Sequence, residues 1–199
     1  MLLVVAAFPA GCLSLACGAY RRPARLAGAE RQLGASAPLA YTVSVVPWDS
    51  ETRQRLQKDP EIYARSLADL LKRSKAFRTV RFEPAPGVDT DLIASSTGLY
   101  CNTAVIPLFT ILSQGTVPTI FQDEECQAMV LRSARAPART SPEIVARYKG
   151  PVVVGWAAVP LGAVPGWSYG SMREDDRYAE RFRVEIFRQR ARIAEIAAP

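Results

Sequence analysis

Residues 59–82 decide the fold, and they read DPEIYARSLADLLKRSKAFRTVRF. Asp59 is a good helix cap, and Pro60 suits the first helical position. Apolar side chains then recur at helical spacing, at Ile62, Tyr63, Leu67, Leu70 and Leu71. The pattern predicts a helix over residues 60–75. The Phe-Arg-Thr-Val-Arg-Phe run that follows predicts a short strand over residues 77–82.

The segments on either side extend this pattern into a sheet. Runs rich in β-branched and bulky apolar residues predict strands at residues 41–48, 91–102, 125–133 and 151–159. Looser helical turns are expected over 51–57 and 142–147, and a charged helix over 173–198. That helix carries an apolar stripe, interpreted as core packing, at Tyr178, Phe182, Ile186, Ile193 and Ile196. The order predicts one α+β domain over residues 41–199, with helices packed on one face of a mixed, mostly antiparallel sheet.

The N-terminus is typical of an export signal. Residues 1–17 carry no charged side chain and are too few to span a bilayer, which takes ~20 apolar residues. Cys12 and Cys17 each follow a small residue, which resembles the cleavage site of bacterial lipoproteins. We expect a signal peptide over 1–16 and an acylated Cys17, with Cys12 or an ordinary secretory cut as alternatives. Residues 17–40 lack a sustained period and are interpreted as a flexible tether.

Two motifs carry a resemblance to known families. Residues 70–80 (LLKRSKAFRTV) resemble the helix-to-strand segment of small periplasmic α/β modules, such as the N-terminal domain of TolB and the CsgG-like lipoproteins. Residues 112–119 (LSQGTVPT) resemble the Leu-x-x-Gly-x-x-Pro-Thr segment of small uncharacterised bacterial envelope lipoproteins. Gln114 and Thr116 stand where that group has aliphatic residues. The resemblance covers residues 41–133 and implies an envelope lipoprotein of assembly or scaffold type, with no catalytic residue to carry over.

Cys101 and Cys126 remain once the signal is removed. Their even number, and the oxidising compartment that export implies, favour a disulfide between them. If the strands at 91–102 and 125–133 are neighbours, both cysteines lie near the same end of the ladder. The bond would then stabilise the fold by roughly 3 kcal/mol in the chain-entropy model. The alternative is a pair of buried thiols that pack as small apolar side chains.

Two apolar segments are broken by proline and glycine, so they suit neither a long central strand nor a membrane span. They are residues 105–121 and 155–167, and neither contains a charged side chain. They either fold beneath the sheet or form a contact surface for a membrane or a protein. In the second case the candidate binding residues are Leu108, Phe109, Ile111, Leu112, Val117, Trp156 and Trp167. Both tryptophans would suit a lipid interface, where an amphipathic ring is favoured.

Composition argues against several kinds of chemistry. The chain has no histidine, which removes Ser-His and Cys-His nucleophile pairs and histidine metal sites. The acidic clusters at 123–125 and 174–176 introduce a strand and a helix, and negative charge at a helix start is explained by the helix dipole. The net charge is +6, carried mainly by dispersed arginines, and no nucleic-acid recognition motif is present. We therefore expect no enzyme activity, metal, cofactor or nucleic-acid partner.

These observations favour a non-enzymatic, disulfide-bonded lipoprotein, held by acyl chains such as palmitate on the periplasmic face of the outer membrane. Its partners would be the membrane and an envelope protein complex, which it docks, assembles or stabilises through its sheet edge and the two apolar segments. Gly18 after Cys17 is not the Asp that retains lipoproteins in the inner membrane under the sorting rule of enteric bacteria. The alternative function is a periplasmic module that binds a lipid or a small molecule between the apolar segments.

Overall fold

A computed structural model of the chain describes residues 18–47, 60–83, 86–97, 119–154, 158–161, 163–169 and 175–198. The chain divides into two compact units, and each is described by itself. The larger unit consists of Ala24–Cys101, Glu125–Tyr148 and Arg173–Pro199. The smaller unit consists of Met1–Pro23, Asn102–Glu124 and Lys149–Met172. This division differs from the single domain expected over residues 41–199.

Helices and strands alternate along the first half of the described chain, and two longer strands follow. In chain order the elements are β1 (Gly18–Arg21), α1 (Gly28–Gly34), β2 (Leu39–Val45), α2 (Pro60–Ser74), β3 (Phe77–Phe82), β4 (Leu92–Ser96), β5 (Thr119–Ser133), β6 (Ile144–Val154), α3 (Ala158–Leu161), β7 (Trp167–Tyr169), α4 (Asp176–Arg188) and α5 (Arg190–Ala197).

The sheet of the larger unit has the strand order β3-β2-β4-β5-β6. β2 runs parallel to both of its neighbours, with Val43 opposite Val80 on β3 and Leu92 on β4. β4 is antiparallel to β5, with Leu92 opposite Ser133. This pairing of the strands predicted at 91–102 and 125–133 is therefore confirmed. So is the fold class, which is α+β with a mixed, mostly antiparallel sheet.

The smaller unit contains the order β6-β1-β7, in which β1 is antiparallel to both neighbours. Tyr20 lies opposite Val152 on one side and Ser168 on the other. Gly166 ends the turn before β7 at φ 93°, a conformation that glycine adopts without the steric penalty of a Cβ. Its carbonyl accepts the N–H of Arg22 at 2.8 Å. The turn therefore places β7 beside β1, on the side opposite to β6.

The core of the larger unit lies between one face of its sheet and helices α2, α4 and α5. Alternate strand residues are buried in it, namely Val43, Val45, Leu92, Ala94, Met129, Leu131, Ile144 and Ala146. The predicted stripe from Tyr178 to Ile196 is also buried there, with every member at most 2% exposed, so its interpretation as core packing is confirmed. The hydroxyl of Tyr178 donates to the carbonyl of Ala146 at 3.2 Å, which supplies the partner that a buried tyrosine needs.

The turn from α2 into β3 is set by two residues. The hydroxyl of Ser74 donates to the carbonyl of Leu71 at 2.7 Å and accepts the N–H of Ala76 at 3.3 Å. Lys75 has φ 53°, a left-handed conformation that glycine adopts more readily than lysine. Basic residues in the last turn of α2, Lys72 among them, interact favourably with the helix dipole. The chain therefore stops being helical and starts β3 within a few residues.

Arg183 on α4 joins the C-terminal ends of two other helices. One guanidinium nitrogen, Nη1, donates to the carbonyls of Ser74 at 3.0 Å and Lys75 at 2.8 Å. The other, Nη2, donates to the carbonyl of Ser36, just beyond α1. The guanidinium also lies over the ring of Phe187, 5.3 Å from its centroid. Burial lowers the pKa of Arg183 from its ordinary value, but an arginine remains charged at neutral pH.

The link between β3 and β4 is fastened to β2 by polar side chains. Ser44 is fully buried; its hydroxyl donates to Oε2 of Glu83 at 2.8 Å and shares a 2.7 Å hydrogen bond with the hydroxyl of Thr90. The same oxygen of Glu83 accepts the N–H of Gly87 at 3.0 Å. Val88 at the tip is fully exposed. Hydrogen bonds therefore hold Glu83 and Thr90 in place, while Val88, in the link between them, projects into solvent.

Three local expectations are wrong. The flexible tether expected over residues 17–40 is contradicted by β1 and α1, because β1 pairs with strands far along the chain. The helical turn expected over 142–147 is part of β6, since Ile144 and Ala146 face the core at strand spacing. The strand expected over 151–159 ends at Val154, and α3 occupies its last positions. The turn expected over 51–57 lies outside the described residues.

Candidate functional site

The outer edge of β3 is the feature of the larger unit best suited to binding. β3 ends the strand order, and it pairs with β2 on its inner side. The N–H of Glu83 donates to the carbonyl of Val45 on β2 at 3.1 Å, so the backbone groups of Glu83 point toward β2. In a parallel ladder, alternate residues direct both backbone groups to the partner strand. Val80 and Phe82 therefore direct their N–H and C=O groups to the outer side, where no described strand receives them.

A groove of about 560 Å³ lies where the starts of β2 and β3 meet the end of α2. The described residues that line it come from the end of α2, the start of β2 and β3, and they are Pro38, Ala40, Lys72, Lys75, Phe77, Arg78 and Val80. Its floor is apolar, and its charged side chains are all basic. None of the described lining residues is acidic.

The edge is strongly basic. Lys72, Lys75 and Arg78 on the groove side are exposed, as is Arg81 farther along β3. None of these four makes an ion pair among the described residues. We call β3 together with these four side chains the basic edge. An anionic group could approach it without displacing an existing ion pair.

Two other grooves of the larger unit differ in charge. The one beside α1, of about 620 Å³, combines Arg25 and Arg31 with Glu180. The one beside α5, of about 410 Å³, places Arg192 next to Glu195, and these two form an ion pair of 2.6 Å. Each mixes both signs of charge, so neither favours an anionic ligand as clearly as the basic edge does.

The α2–β3 turn positions the basic edge. The left-handed backbone of Lys75 lets α2 end directly at the edge strand, so Lys75 and Arg78 come from a single short segment. Arg183 holds that segment in place by donating hydrogen bonds to the carbonyls of Ser74 and Lys75. The partly buried guanidinium of Arg183 therefore holds the backbone of this segment, while the side chains of Lys75 and Arg78 stay exposed to solvent.

Two of the residues singled out from the sequence are described by the structure. Cys126 lies on β5 and is buried. Its expected partner, Cys101, lies outside the described residues, so the pairing stays a prediction. Trp167 begins β7, opposite Arg21 on β1, and is partly buried. The other candidates lie outside the described residues, namely Cys12, Cys17, Leu108, Phe109, Ile111, Leu112, Val117 and Trp156.

The smaller unit does expose apolar side chains among its described residues. Tyr169 on β7 is 50% exposed, and Val164 in the turn before it is 44% exposed. Ile120 at the start of β5 is 71% exposed. Most of the candidate contact residues lie outside the described residues. The contact surface expected over 105–121 and 155–167 therefore remains a prediction.

The described residues contain no group of three or more metal-ligating side chains close enough to hold an ion. None of the described helices is both long and apolar enough to cross a membrane. No protein-family model, curated protein or solved structure matches the chain.

Sequence reasoning located β3 but not the importance of its edge. The signal that was present is the pair Arg78 and Arg81, which places two cations in an otherwise good strand pattern. Charges inside a short strand suit an edge position, because a central strand has neighbours on both sides. Lys72 and Lys75 gain significance only when α2 is known to end beside that strand.

Proposed function

We propose that this protein is an exported lipoprotein that docks and stabilises a protein complex of the cell envelope through the basic edge. The observation that carries the proposal is the outer side of β3, which pairs with no other described strand, beside a groove whose described charged residues are all basic. Exposed strand edges pair readily with other chains, and proteins usually block or cover them. An edge left open and lined with a single sign of charge is suited to a specific partner.

The sequence supports the cellular setting of this proposal. The uncharged N-terminal run, with a small residue before Cys12 and Cys17, favours export and acylation. The resemblance of residues 70–80 and 112–119 to envelope lipoprotein families points the same way. Placement on the periplasmic face of the outer membrane, with acyl chains as the anchor, belongs to the proposal.

The anchor is tested by intact-mass measurement of protein extracted from membranes. Wild-type protein should carry the mass of cleavage before Cys17 plus a diacylglycerol adduct. Cys17→Ser should lose the adduct and move to the soluble fraction, whereas Cys12→Ser should keep both. A wild-type chain of unmodified mass in the soluble fraction would contradict the lipoprotein assignment.

Docking is tested by native electrophoresis of mild-detergent extracts from the host. Wild-type protein should migrate in an assembly larger than the single chain. The double variant Lys75→Glu/Arg78→Glu should release it from that assembly. The matched control, Arg135→Glu/Arg190→Glu, makes the same charge change at exposed arginines away from the edge and should leave the assembly intact. Migration of the wild type as a lone chain would refute the docking function.

A further inference from the structure

We infer that the basic edge receives an extended, acidic segment of the partner protein, which adds to β3 as a further strand. This inference rests on the proposed function and names the chemistry of the partner. Val80 and Phe82 offer N–H donors and C=O acceptors on the outer side of the strand. In strand addition, such main-chain hydrogen bonds supply affinity, and side-chain pockets supply specificity.

The groove indicates the side-chain pattern of that segment. Successive side chains of a strand point to opposite faces, so one face of an added strand would lie over the groove. The groove floor, with Phe77 and Val80, suits small apolar side chains. Its cationic walls, with Lys72, Lys75 and Arg78, suit carboxylates. A segment that mixes apolar and acidic residues over about six to eight positions would use both features, because strands in globular proteins are usually about 3–10 residues long.

The same charges disfavour a second copy of this chain as the occupant. Two basic edges brought together would place Arg78 and Arg81 of one copy beside the cations of the other. Like charges on directly opposed strand positions are destabilising. Edge-to-edge pairing between identical copies is therefore opposed by the residues that attract an acidic segment.

Backbone chemistry separates a protein partner from other anions. Phosphate groups of lipids or nucleic acids could accept hydrogen bonds from Lys75 or from the N–H groups of β3. They cannot donate to the outward carbonyls of Val80 and Phe82. An extended peptide satisfies both kinds of group, which is why the open edge favours a protein segment over an anionic surface.

The test uses purified full-length protein and a fluorescent octapeptide that alternates valine and glutamate. Binding is followed by fluorescence anisotropy at low salt. The peptide should bind, and its affinity should fall as salt is added. Lys75→Glu/Arg78→Glu should weaken binding about tenfold, because each exposed ion pair contributes up to about a factor of five. Arg135→Glu/Arg190→Glu should bind as the wild type does.

Two further peptides isolate the backbone and the charge while leaving the protein unchanged. A version N-methylated at alternate amides keeps the carboxylates but cannot pair as a strand, and it should not bind. A version with lysine in place of glutamate keeps strand pairing but reverses the charge, and it should not bind either. Equal binding of the methylated peptide would overturn strand addition and leave a general anion surface.

The remaining outcomes also decide the question. No binding of the acidic peptide at millimolar concentration, or equal binding by Lys75→Glu/Arg78→Glu, would overturn the inference. If the native assembly still depended on the basic edge in that case, the docking function would stand and only the acidic strand would be withdrawn. Dimerisation of the purified wild-type chain that blocks binding of the acidic peptide would overturn it in favour of a second copy.

Discussion

Removal of the guanidinium of Arg183 should destabilise the larger unit more than removal of the guanidinium of Arg188 on the same helix. In Arg183→Met the apolar stem beside Phe187 is kept, while the donors to Ser36, Ser74 and Lys75 are lost. All three acceptors are carbonyls at or just beyond helix C-termini, where a positive charge is also favoured by the helix dipole. The variant therefore isolates the contribution of the charged contact.

The magnitude follows from these contacts. A hydrogen bond to a charged group contributes about 1.5–3 kcal/mol when its partner cannot be replaced by water. Arg183 is only partly buried, so water can reach some of the freed carbonyls. We expect a loss of about 3 kcal/mol in the free energy of unfolding. For a chain of this size that corresponds to a fall in Tm of roughly 6–12 °C.

Urea unfolding followed by circular dichroism measures this loss, and Arg188→Met is the matched control. Arg188 lies on the same helix and pairs with Glu30 at 2.8 Å and with Glu185, but its side chain is 45% exposed. The hydrogen bond that Arg188 donates to Glu185 is the main cause that raises the pKa of Arg188. Exposed pairs contribute about 0–1 kcal/mol, so the control should change little. The reasoning fails if Arg183→Met is no more destabilising than Arg188→Met.

Three further predictions concern the core, the α2–β3 turn and the disulfide. Leu67→Ala should lower the free energy of unfolding by about 2–5 kcal/mol, because Leu67 is fully buried. Ile62→Ala, at a position that is 62% exposed, should lower it by less than about 1 kcal/mol. Urea titrations measure both changes. Lys75→Gly should relieve the left-handed backbone and raise the free energy of unfolding by about 0.5–1 kcal/mol, whereas Ala35→Gly, at φ −87°, should lower it. A lower Tm for Lys75→Gly would contradict the strain argument. If Cys101 and Cys126 form the expected disulfide, reduction should remove about 2–4 kcal/mol of stability. Identical melting curves with and without a phosphine reductant would contradict that expectation.

Local sequence signals predict the elements that depend on local periodicity. The helix at 60–75 and the strand at 77–82 agree with α2 and β3 because capping, apolar spacing and the turn at Ser74 all lie within one short segment. The C-terminal stripe is equally local, although Gln189 separates α4 from α5.

The misinterpreted elements depend on distant partners. β1 forms from four residues that pair with β6 and β7, more than 120 residues along the chain, and no local pattern announces such a strand. At 142–147 a proline followed by glutamate is typical of a helix start, but the alternation of Ile144 and Ala146 is satisfied by the sheet. Tertiary packing decides such short segments.

The candidate site is less predictable than the fold. That β3 is an edge strand follows from the strand order, which depends on long-range pairing rather than on residues 77–82 themselves. Lys72 and Arg78 share a groove only because α2 and β3 meet there. The cysteines proposed for lipidation and most of the apolar candidates lie outside the described residues, so they stay predictions from the sequence.

The fastened link between β3 and β4 offers a place to attach a probe. Val88 is fully exposed, and the hydrogen bonds of Glu83, Gly87 and Thr90 hold the backbone close to it on both sides. Exposed loop tips tolerate insertions, and lengthening a loop adds only about 0.6 kcal/mol of closure entropy per doubling. An epitope inserted at Val88 would leave the outward backbone of Val80 untouched. The chain thus provides its own handle for isolating an intact assembly.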